Sequence, residues 1–296
     1  MIRTADRKGN ITEEDTFQNR LLESIYGSVA GRLMIRPFVT PGFSRTMGVV
    51  LDSGLSAFAV KPFIRMNHLD MTDYEERRYR SYNDFFTRKI REGAREIDME
   101  PGHFVSPCDG RVSVYPAYAS GRFKIKNTSY TLRELLHSRS LGERFEGGSV
   151  WILRLCVQDY HRYIYPDWAR ESKRVRIKGC LHTVNPAAND VYPIYKENSR
   201  EFSLLKTENF GTVLMMEVGA LMVGKIENHP RRPYVFRGDE KGNFAFGGST
   251  IVLLTEEGAV NPDEDILKNS AGGIETRVRM GEKIGTKNSY PFTKET

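Results

Sequence analysis

Near the C-terminal end, a glycine pair and two hydroxyl residues, Gly247-Gly248-Ser249-Thr250, run into the apolar segment Ile-Val-Leu-Leu. A serine that follows a flexible glycine can attack the carbonyl carbon of that glycine and cut the chain there. The same pattern is also typical of an ordinary turn that enters a buried strand. Because Gly147-Gly148-Ser149 precedes a second strand-like run, the pattern alone does not decide which serine, if either, is reactive.

Three further segments place acid-base side chains beside predicted strands. His161 follows the run from Trp151 to Val157, and a histidine at a strand end can accept or deliver a proton near neutral pH. The alternative for His161 is a half-buried ring bonded to backbone. His182 stands at the edge of another run, before an Asn-Pro turn, where a structural role fits equally well. Asp109 precedes a glycine and a short β-run, a position at which aspartate usually caps the amides of a turn.

The common catalytic and ligand-binding motifs are missing from the sequence. It has no GxGxxG or GxxxxGKS/T phosphate loop, no HExxH, no paired CxxC and no GxSxG nucleophile elbow. The three cysteines are odd in number and widely spaced, which predicts reduced thiols and no metal site. The charged segment from Asp73 to Arg95 has no aromatic-basic repeat, so it predicts a solvated helix face and no nucleic-acid partner.

The elements that must position these residues change in type along the chain. Apolar residues from about Glu13 to Arg95 recur at helical spacing, which predicts an N-terminal helical region over residues 1–95. Residues 96–260 contain short β-like runs between turn residues, among them Val175 to Ile177 and Thr212 to Val218, and predict a β-rich catalytic domain. Residues 261–296 are polar and are expected to be a surface extension or partly disordered. The predicted fold class is therefore α+β.

The stretch from Leu55 to Met66 mixes apolar residues with Lys61 and Arg65, which would let apolar side chains enter a lipid interface beside cations. An amphipathic helix that packs on the rest of the protein is the alternative. The net charge of +6 over 296 residues suits an anionic surface and equally an ordinary enzyme. No run approaches the ~20 apolar residues of a membrane span, and no signal peptide is recognised, which predicts a cytoplasmic chain.

Seven segments, taken in order, resemble the phosphatidylserine decarboxylase family: SYNDFFTRKIR, SPCDGRV, DYHRY, HTVNP, YKENSREFS, EVGALMVGKIE and FGGSTIVLL. The match runs from about Tyr82 to Leu254. The resemblance implies a pyruvoyl-dependent carboxy-lyase that removes CO2 from phosphatidylserine and leaves phosphatidylethanolamine. It selects Ser249 over Ser149 as the self-processing residue, with cleavage after Gly248 and conversion of Ser249 into the pyruvoyl group.

The resemblance also assigns Asp109 as the acidic residue of the family and His161 as its first histidine, which is expected to protonate the product carbon as an imidazolium. Many members read His-Arg-x-His at this strand end, whereas the fourth position here is Ile164, which cannot move a proton. Either His182 takes the task of the second histidine, or His161 serves both steps, or the chain does not mature. An active enzyme is expected, because the rest of the pattern is intact.

A phospholipid substrate implies a surface that contacts lipid. The Leu55 to Met66 stretch is therefore expected to face an anionic membrane, with the protein peripheral on the cytoplasmic face of the cell membrane. The two self-cleavage fragments are expected to stay associated, and homo-oligomer formation is left open. Two alternatives stay open: a pyruvoyl-dependent decarboxylase of a soluble amino acid, which requires a small closed pocket, and an unprocessed lipid-binding homologue, which Ile164 motivates.

Overall fold

The computed structural model describes residues 2–14, 17–118, 120–125, 128–189, 191–220, 225–245 and 249–288. Its helices are α1 (Phe17–Gly27), α2 (Val29–Ile35), α3 (Pro41–Asp52), a 3-10 helix (Gly54–Ala59), α4 (Val60–Met66), α5 (Tyr82–Phe86), α6 (Leu132–Leu136), α7 (Arg139–Arg144), α8 (Pro186–Asn189), α9 (Ile194–Glu197) and α10 (Glu264–Ala271). Its strands are β1 (Ile2–Ala5), β2 (Ile11–Glu14), β3 (His103–Val105), β4 (Gly110–Pro116), β5 (Arg122–Ile125), β6 (Thr128–Thr131), β7 (Ser149–Leu155), β8 (Arg162–Ile164), β9 (Ala169–Glu171), β10 (Val175–Ile177), β11 (Arg200–Thr207), β12 (Thr212–Val218), β13 (Ile226–Asn228), β14 (Tyr234–Val235), β15 (Glu240–Phe244), β16 (Ser249–Thr255), β17 (Val260–Pro262), β18 (Glu275–Val278) and β19 (Lys283–Lys287).

Most of the described strands join one large sheet. Its strand order is β14-β9-β11-β12-β16-β7-β4-β18-β1-β2, and β10 also pairs with β11. The pair β1 and β18 is parallel, while the central strands β11, β12, β16, β7 and β4 are antiparallel to their neighbours. The smaller sheets are β13-β15-β8, β17-β19-β3 and β5-β6. Helices α1 to α5 precede this strand-rich region, so the predicted α+β class is confirmed.

The middle of the large sheet is covered on both faces. Every residue of β12 and of β16 is buried. Successive side chains of a strand point to opposite faces, and accordingly Val252 and Leu254 belong to one core cluster while Ile251 and Leu253 belong to the other. A continuous apolar run is what a strand covered on both faces requires. Ser249, at the start of β16, is therefore held in the interior.

The two Gly-Gly-Ser segments lie at opposite ends of paired strands. In the antiparallel register of β7 and β16, Ser149 is opposite Thr255 and Ser249 is opposite Leu155, so the two serines are roughly 20 Å apart. A Cβ atom added to Gly148 would lie 1.9 Å from the carbonyl oxygen of Thr255. The first Gly-Gly-Ser segment is thus a turn in which close backbone approach requires glycine.

Both ends of the chain contribute strands that the sequence did not predict. Residues 2–14 form a hairpin whose first strand pairs with β18, so the helical region begins only at Phe17. The polar segment after residue 260 is not a surface extension as far as residue 288, because β18 pairs with β4 and β19 pairs with β3 and β17. These strands carry many polar residues, and hydrophobic periodicity does not mark them.

The predicted solvated helix over residues 73–95 is wrong. Only Tyr82–Phe86 is helical there, and Arg88 is 1% exposed. The guanidinium of Arg88 lies 4.3 Å from the ring centroid of Tyr74 and donates to the carbonyl oxygen of Gln158. Aromatic faces and backbone carbonyl groups take the place of water around this buried cation.

The N-terminal helices have a packed inner side and an apolar outer side. The inner side of α4 joins α5 in a cluster that contains Val60, Phe85 and Phe86. The outer side exposes large apolar side chains, among them Met34 (73%), Val49 (72%), Leu55 (82%), Phe58 (81%) and Met66 (76%). No single helix in the described ranges is long and apolar enough to cross a membrane. The consecutive segments Pro41–Asp52 and Gly54–Met66 reach that length and apolarity together, but with a bend of 78° between them.

Candidate active site

Ser249 and His161 form the central contact of the site. Ser249 begins β16 and His161 immediately precedes β8, and both residues are fully buried. The Oγ atom of Ser249 lies 3.2 Å from Nδ1 of His161. Ser149 lies at the opposite end of the same strand pair, so only one of the two candidate serines meets this histidine.

The second ring nitrogen of His161 fixes the tautomer. Nε2 lies 2.8 Å from the carbonyl oxygen of Cys156, and a carbonyl oxygen can only accept a hydrogen bond. Nε2 therefore carries the proton, and Nδ1 presents its lone pair to the hydroxyl group of Ser249. This is the arrangement that a general base needs in order to take a proton from a serine nucleophile.

The surroundings of His161 keep its ring neutral. Burial lowers the pKa of His161 to about 3, and the charge of Arg88 acts in the same direction. The ring of Phe86 lies against the imidazole, with ring centroids 4.1 Å apart. The imidazolium expected from the sequence is therefore not the resting form of His161 in the uncut chain, because removal from water disfavours the charged ring.

The loop between β7 and β8 is held by side chains that sequence reasoning missed. The backbone N–H of Cys156 donates to the Asp159 carboxylate at 2.6 Å, and Arg111 forms an ion pair with the same carboxylate. On the other side, Arg88 donates to the carbonyl oxygen of Gln158 at 3.2 Å. Asp159, Phe86 and Arg88 all stand in quoted family segments, but no sequence pattern indicated that they support His161.

Asp109 is buried close to this loop but does not contact the base. Its carboxylate accepts hydrogen bonds from Arg95, at 2.9 Å and 3.2 Å, and from the backbone N–H of Met280 at 2.8 Å. Among the described residues, no hydrogen bond or ion pair joins Asp109 to His161 or Ser249. Asp109 instead joins Met280, two residues after the end of β18, to the loop that carries Arg95.

Ile164 occupies an apolar environment on the Asp109 side of the site. It is 3% exposed and packs in a cluster with Tyr74, Tyr160 and Met280. Met280 is the residue whose backbone N–H donates to Asp109. At the position where many family members carry a second histidine, this chain therefore has an isoleucine packed among apolar side chains. Asp109 forms an ion pair with Arg95.

His182 is not brought to Ser249. Its ring stacks on Tyr192 with centroids 4.4 Å apart, and Nδ1 lies 3.5 Å from the hydroxyl group of Tyr26. The backbone beside His182 is bonded at Cys180 to Ser199, and Ser199 is bonded to Gly219, directly after β12. Because β12 pairs with β16, the segment that carries His182 is three strand spacings, roughly 14 Å, from the start of β16. Burial lowers the pKa of His182, so this ring is also neutral.

One group of side chains in the described ranges has donor atoms near enough to hold a cation. The donor atoms of Cys180, His182 and Glu197 lie within 4.8 Å of one another. All three residue types ligate zinc in proteins. This group has no contact with Ser249. Cys108, Cys156 and Cys180, all within the described residues, form no disulfide.

Gly248, the other residue of the expected cleavage site, lies outside the described residues, as do Phe246 and Gly247. The site can therefore be described from the serine side of the peptide bond. On that side, a buried serine at the start of a central strand faces the unprotonated nitrogen of a histidine. A nucleophile and a base in this arrangement are what attack by a serine on a neighbouring carbonyl group needs, which fits a self-processing class of protein.

Comparison with known proteins agrees with this class. The family model described as phosphatidylserine decarboxylase matches residues 82–286, and the chain belongs to this family. It is 45% identical to phosphatidylserine decarboxylase proenzyme 2 of Clostridium acetobutylicum over 93% of this chain and 94% of that protein. It is 36% identical to the phosphatidylserine decarboxylase proenzyme of Clostridium botulinum (strain Kyoto), over 97% of this chain and all of that protein. The proenzyme of Fusobacterium nucleatum is 35% identical over 97% of this chain and 98% of its own length.

The lowered pKa of His161 predicts how self-cleavage depends on pH. We expect the cleavage rate to stay nearly constant between pH 8 and pH 5, because a ring with a pKa of about 3 gains a proton only below that range. A histidine with the ordinary pKa near 6.5 would lose its neutral form roughly 30-fold at pH 5. Precursor isolated from inclusion bodies would be refolded into buffers of each pH, and the fragments quantified on denaturing gels. A fall in rate with a midpoint near pH 6.5, while circular dichroism shows a folded chain, would contradict this description of the base.

Proposed function

We propose that this chain is a phosphatidylserine decarboxylase, which converts phosphatidylserine to phosphatidylethanolamine and CO2. It uses a pyruvoyl group that the chain makes from Ser249 by cutting the Gly248–Ser249 bond. The observation that carries this proposal is the 3.2 Å contact between Ser249 Oγ and the unprotonated Nδ1 of His161. Family membership over residues 82–286 supports the substrate and the reaction.

In the first step, Ser249 Oγ attacks the carbonyl carbon of Gly248 and gives its proton to Nδ1 of His161. A bond forms between Oγ and that carbon, and the carbon–nitrogen bond between the two residues breaks. The proton on His161 passes to the nitrogen of Ser249, which leaves as an amine. The product is an ester between Gly248 and Ser249, and the low pKa of His161 favours prompt return of the proton.

In the second step, the ester is eliminated. His161 is neutral again and can remove the α-proton of Ser249, after which the bond between Cβ and Oγ breaks and Gly248 leaves as a carboxylate. The proton is then delivered to Cβ, which becomes a methyl group as the enamine becomes an imine. Water adds to the imine carbon, ammonia is released, and residue 249 becomes the pyruvoyl group. His161 is the titratable side chain hydrogen-bonded to Ser249 among the described residues, so we assign it to both steps. His182, at roughly 14 Å by strand spacing, is not the base in this proposal.

The residues around Ser249 fit a pyruvoyl group at this position. When present, that ketone reacts with the amine of the substrate and accepts the electrons released as CO2 leaves. Burial at the end of β16 and the ring of Phe86 limit access of water to this place. His161 is placed to return a proton to the product. Asp109 acts in this proposal as a positioning residue, through Arg95 and Met280, rather than by contact with His161.

The two fragments, residues 1–248 and 249–296, stay associated in this proposal. Strand β16 begins the smaller fragment and is paired with β7 over its whole length and with β12 from Thr250 onward, and both partners belong to the larger fragment. Strand β18 of the smaller fragment also pairs with β1 and β4. A strand buried between two others loses all of its ladder hydrogen bonds if it leaves, which opposes separation.

The exposed apolar side of the N-terminal helices supports a peripheral position on a membrane. Leu55 and Phe58, in the 3-10 helix, are more than 80% exposed, and Lys61 and Arg65 follow in α4. A soluble protein rarely exposes such a contiguous apolar surface, whereas a lipid interface accepts it and attracts the cations. We place this surface on the cytoplasmic face of the cell membrane. It disfavours a soluble amino acid as substrate, and the Ser249–His161 contact disfavours an unprocessed lipid-binding role.

Substitutions at three positions test the self-cleavage chemistry. We expect Ser249→Ala to remain a single chain, because it has no nucleophile, and His161→Gln to cleave at least 100-fold more slowly, because glutamine cannot take the proton. His182→Gln should cleave as the wild type does, since its ring has no contact with Ser249. The measurement is the fraction of cleaved chain over time on denaturing gels, with circular dichroism to establish folding. Normal cleavage of folded His161→Gln, or failure of folded His182→Gln, would contradict the assignment.

Paired substitutions test the membrane surface. We expect Leu55→Asp/Phe58→Asp to lose most of its flotation with vesicles that contain phosphatidylserine, because two charges would have to enter the interface. Tyr234→Asp/Phe236→Asp is the matched control, since these side chains are 70% and 58% exposed but lie in or next to the edge strand β14 and not on the N-terminal helices. Equal flotation of the two double variants would remove the helical surface as the membrane contact.

A further inference from the structure

A cavity of about 650 Å³ lies between α3 and the sheet edge at β10 and β11. It reaches the end of the sheet at which β16 begins. Ala245, four residues before Ser249, lines it, as does Ser199, whose carbonyl oxygen is bonded to Gly219 after β12. Ser199 is thus two strand spacings, roughly 10 Å, from the start of β16. The cavity and the Ser249–His161 contact share one end of the sheet.

The wall of this cavity is strongly cationic. Four cations and one carboxylate line it: Arg45, Arg176, Lys178, Lys225 and Asp52. Lys225 forms an ion pair with Glu227, and Asp52 accepts a hydrogen bond from Asn83 at 2.7 Å. In the part of the chain that the structure describes, no ion pair within 4 Å joins a carboxylate to any of the other three cations; Glu201 lies opposite Arg176 on β11, but its carboxylate accepts a hydrogen bond from Asn228. Arg45, Arg176 and Lys178 line the cavity and form no ion pair within it, which fits an anionic ligand.

Two of these cations are placed together by the strand itself. Arg176 lies in β10 and Lys178 follows it by two positions, so both side chains point to the same side of the strand. The residue between them, Ile177, is buried in the core. Arg45 faces the cavity from α3 on the opposite wall. The arrangement presents positive charge from two sides.

The remaining wall of the cavity is apolar and continues to the exposed helical surface. Val49 lines the cavity and is itself 72% exposed, and Leu51 lies nearby on the same helix. The next apolar side chains along the chain are Leu55 and Phe58, on the proposed membrane surface. An acyl chain could therefore leave the cavity toward lipid while a charged headgroup stays among the cations.

We propose that this cavity binds the glycerol phosphodiester of the phospholipid whose serine headgroup reaches residue 249, through Arg45, Arg176 and Lys178. This inference rests on the proposed function. The phosphodiester is the better match for fixed cations than the serine carboxylate is. A cation bound to the carboxylate would oppose its loss as neutral CO2, whereas the phosphate keeps its charge throughout the reaction. Binding of a group that does not change during the reaction lowers KM and leaves kcat alone.

The test uses a short-chain phosphatidylserine below its micelle concentration, so that general attraction to a membrane does not contribute. We expect Arg176→Gln/Lys178→Gln to self-cleave completely and to raise KM at least tenfold, because each charge-assisted contact with phosphate is lost. Arg176→Lys, which keeps the charge, should recover most of the affinity when Lys178 is intact. Arg170→Gln/Lys206→Gln is the matched control. This pair removes the same two charges from directly opposed, exposed positions on β9 and β11 outside the cavity.

The outcomes separate this proposal from the function on which it rests. If the cavity variant keeps wild-type turnover and has the same KM as the control variant, the phosphodiester site is overturned and the decarboxylase proposal stands. An uncleaved cavity variant would assign the two cations to folding and would also overturn the site. A cleaved wild type that releases no CO2 from the lipid would overturn both proposals.

Discussion

The hydrogen bond between Nε2 of His161 and the carbonyl oxygen of Cys156 is the constraint on which the site depends. It holds the ring in one tautomer, so the unprotonated nitrogen faces Ser249. The same carbonyl oxygen also accepts the backbone N–H of Asp159 at 2.9 Å, and Arg111 binds the Asp159 carboxylate. A buried arginine thus acts on the base through a loop of four residues. Because Arg111 and the His161 ring at its two ends are buried, a lost partner there is not readily replaced by water, which favours one fixed geometry of the loop.

The N-terminal helices connect this chemistry with the substrate. Through Val60 they pack on α5, whose Phe86 lies against His161, and on the other side they expose Leu55 and Phe58. The cationic cavity beside α3 opens between these two sides. A helix pair bent by 78° can expose an apolar surface to lipid while its inner side packs on α5, whose Phe86 covers His161. The same short segment therefore contributes both to burial of the site and to access of a lipid.

The sequence predicted the elements that have strong periodicity and missed those held by polar contacts. Strands β10 and β12 were predicted with their observed ends, because their apolar and β-branched residues stand between clear turn signals. The hairpin of residues 2–14 and the strand β18 were missed because they carry little apolar pattern. Hydrogen bonds to neighbouring strands hold them in place. Arg88 was missed because a charged side chain is normally exposed, and only the surrounding aromatic rings make its burial possible.

Ser249 was selected over Ser149 by family resemblance, and the strand register explains physically why only one of them meets His161. The exchange of the second histidine for Ile164 was visible in the sequence, but that Asp109 is bound by Arg95 was not.

The central claim is that folding alone converts Ser249 into a reactive carbonyl group. Its most direct measurement is the intact mass of the purified protein before and after treatment with a hydrazide probe. The account predicts two chains that meet between residues 248 and 249, of which the smaller has no free N-terminal amine and gains one probe molecule. A folded, single full-length chain that gains no probe would contradict it.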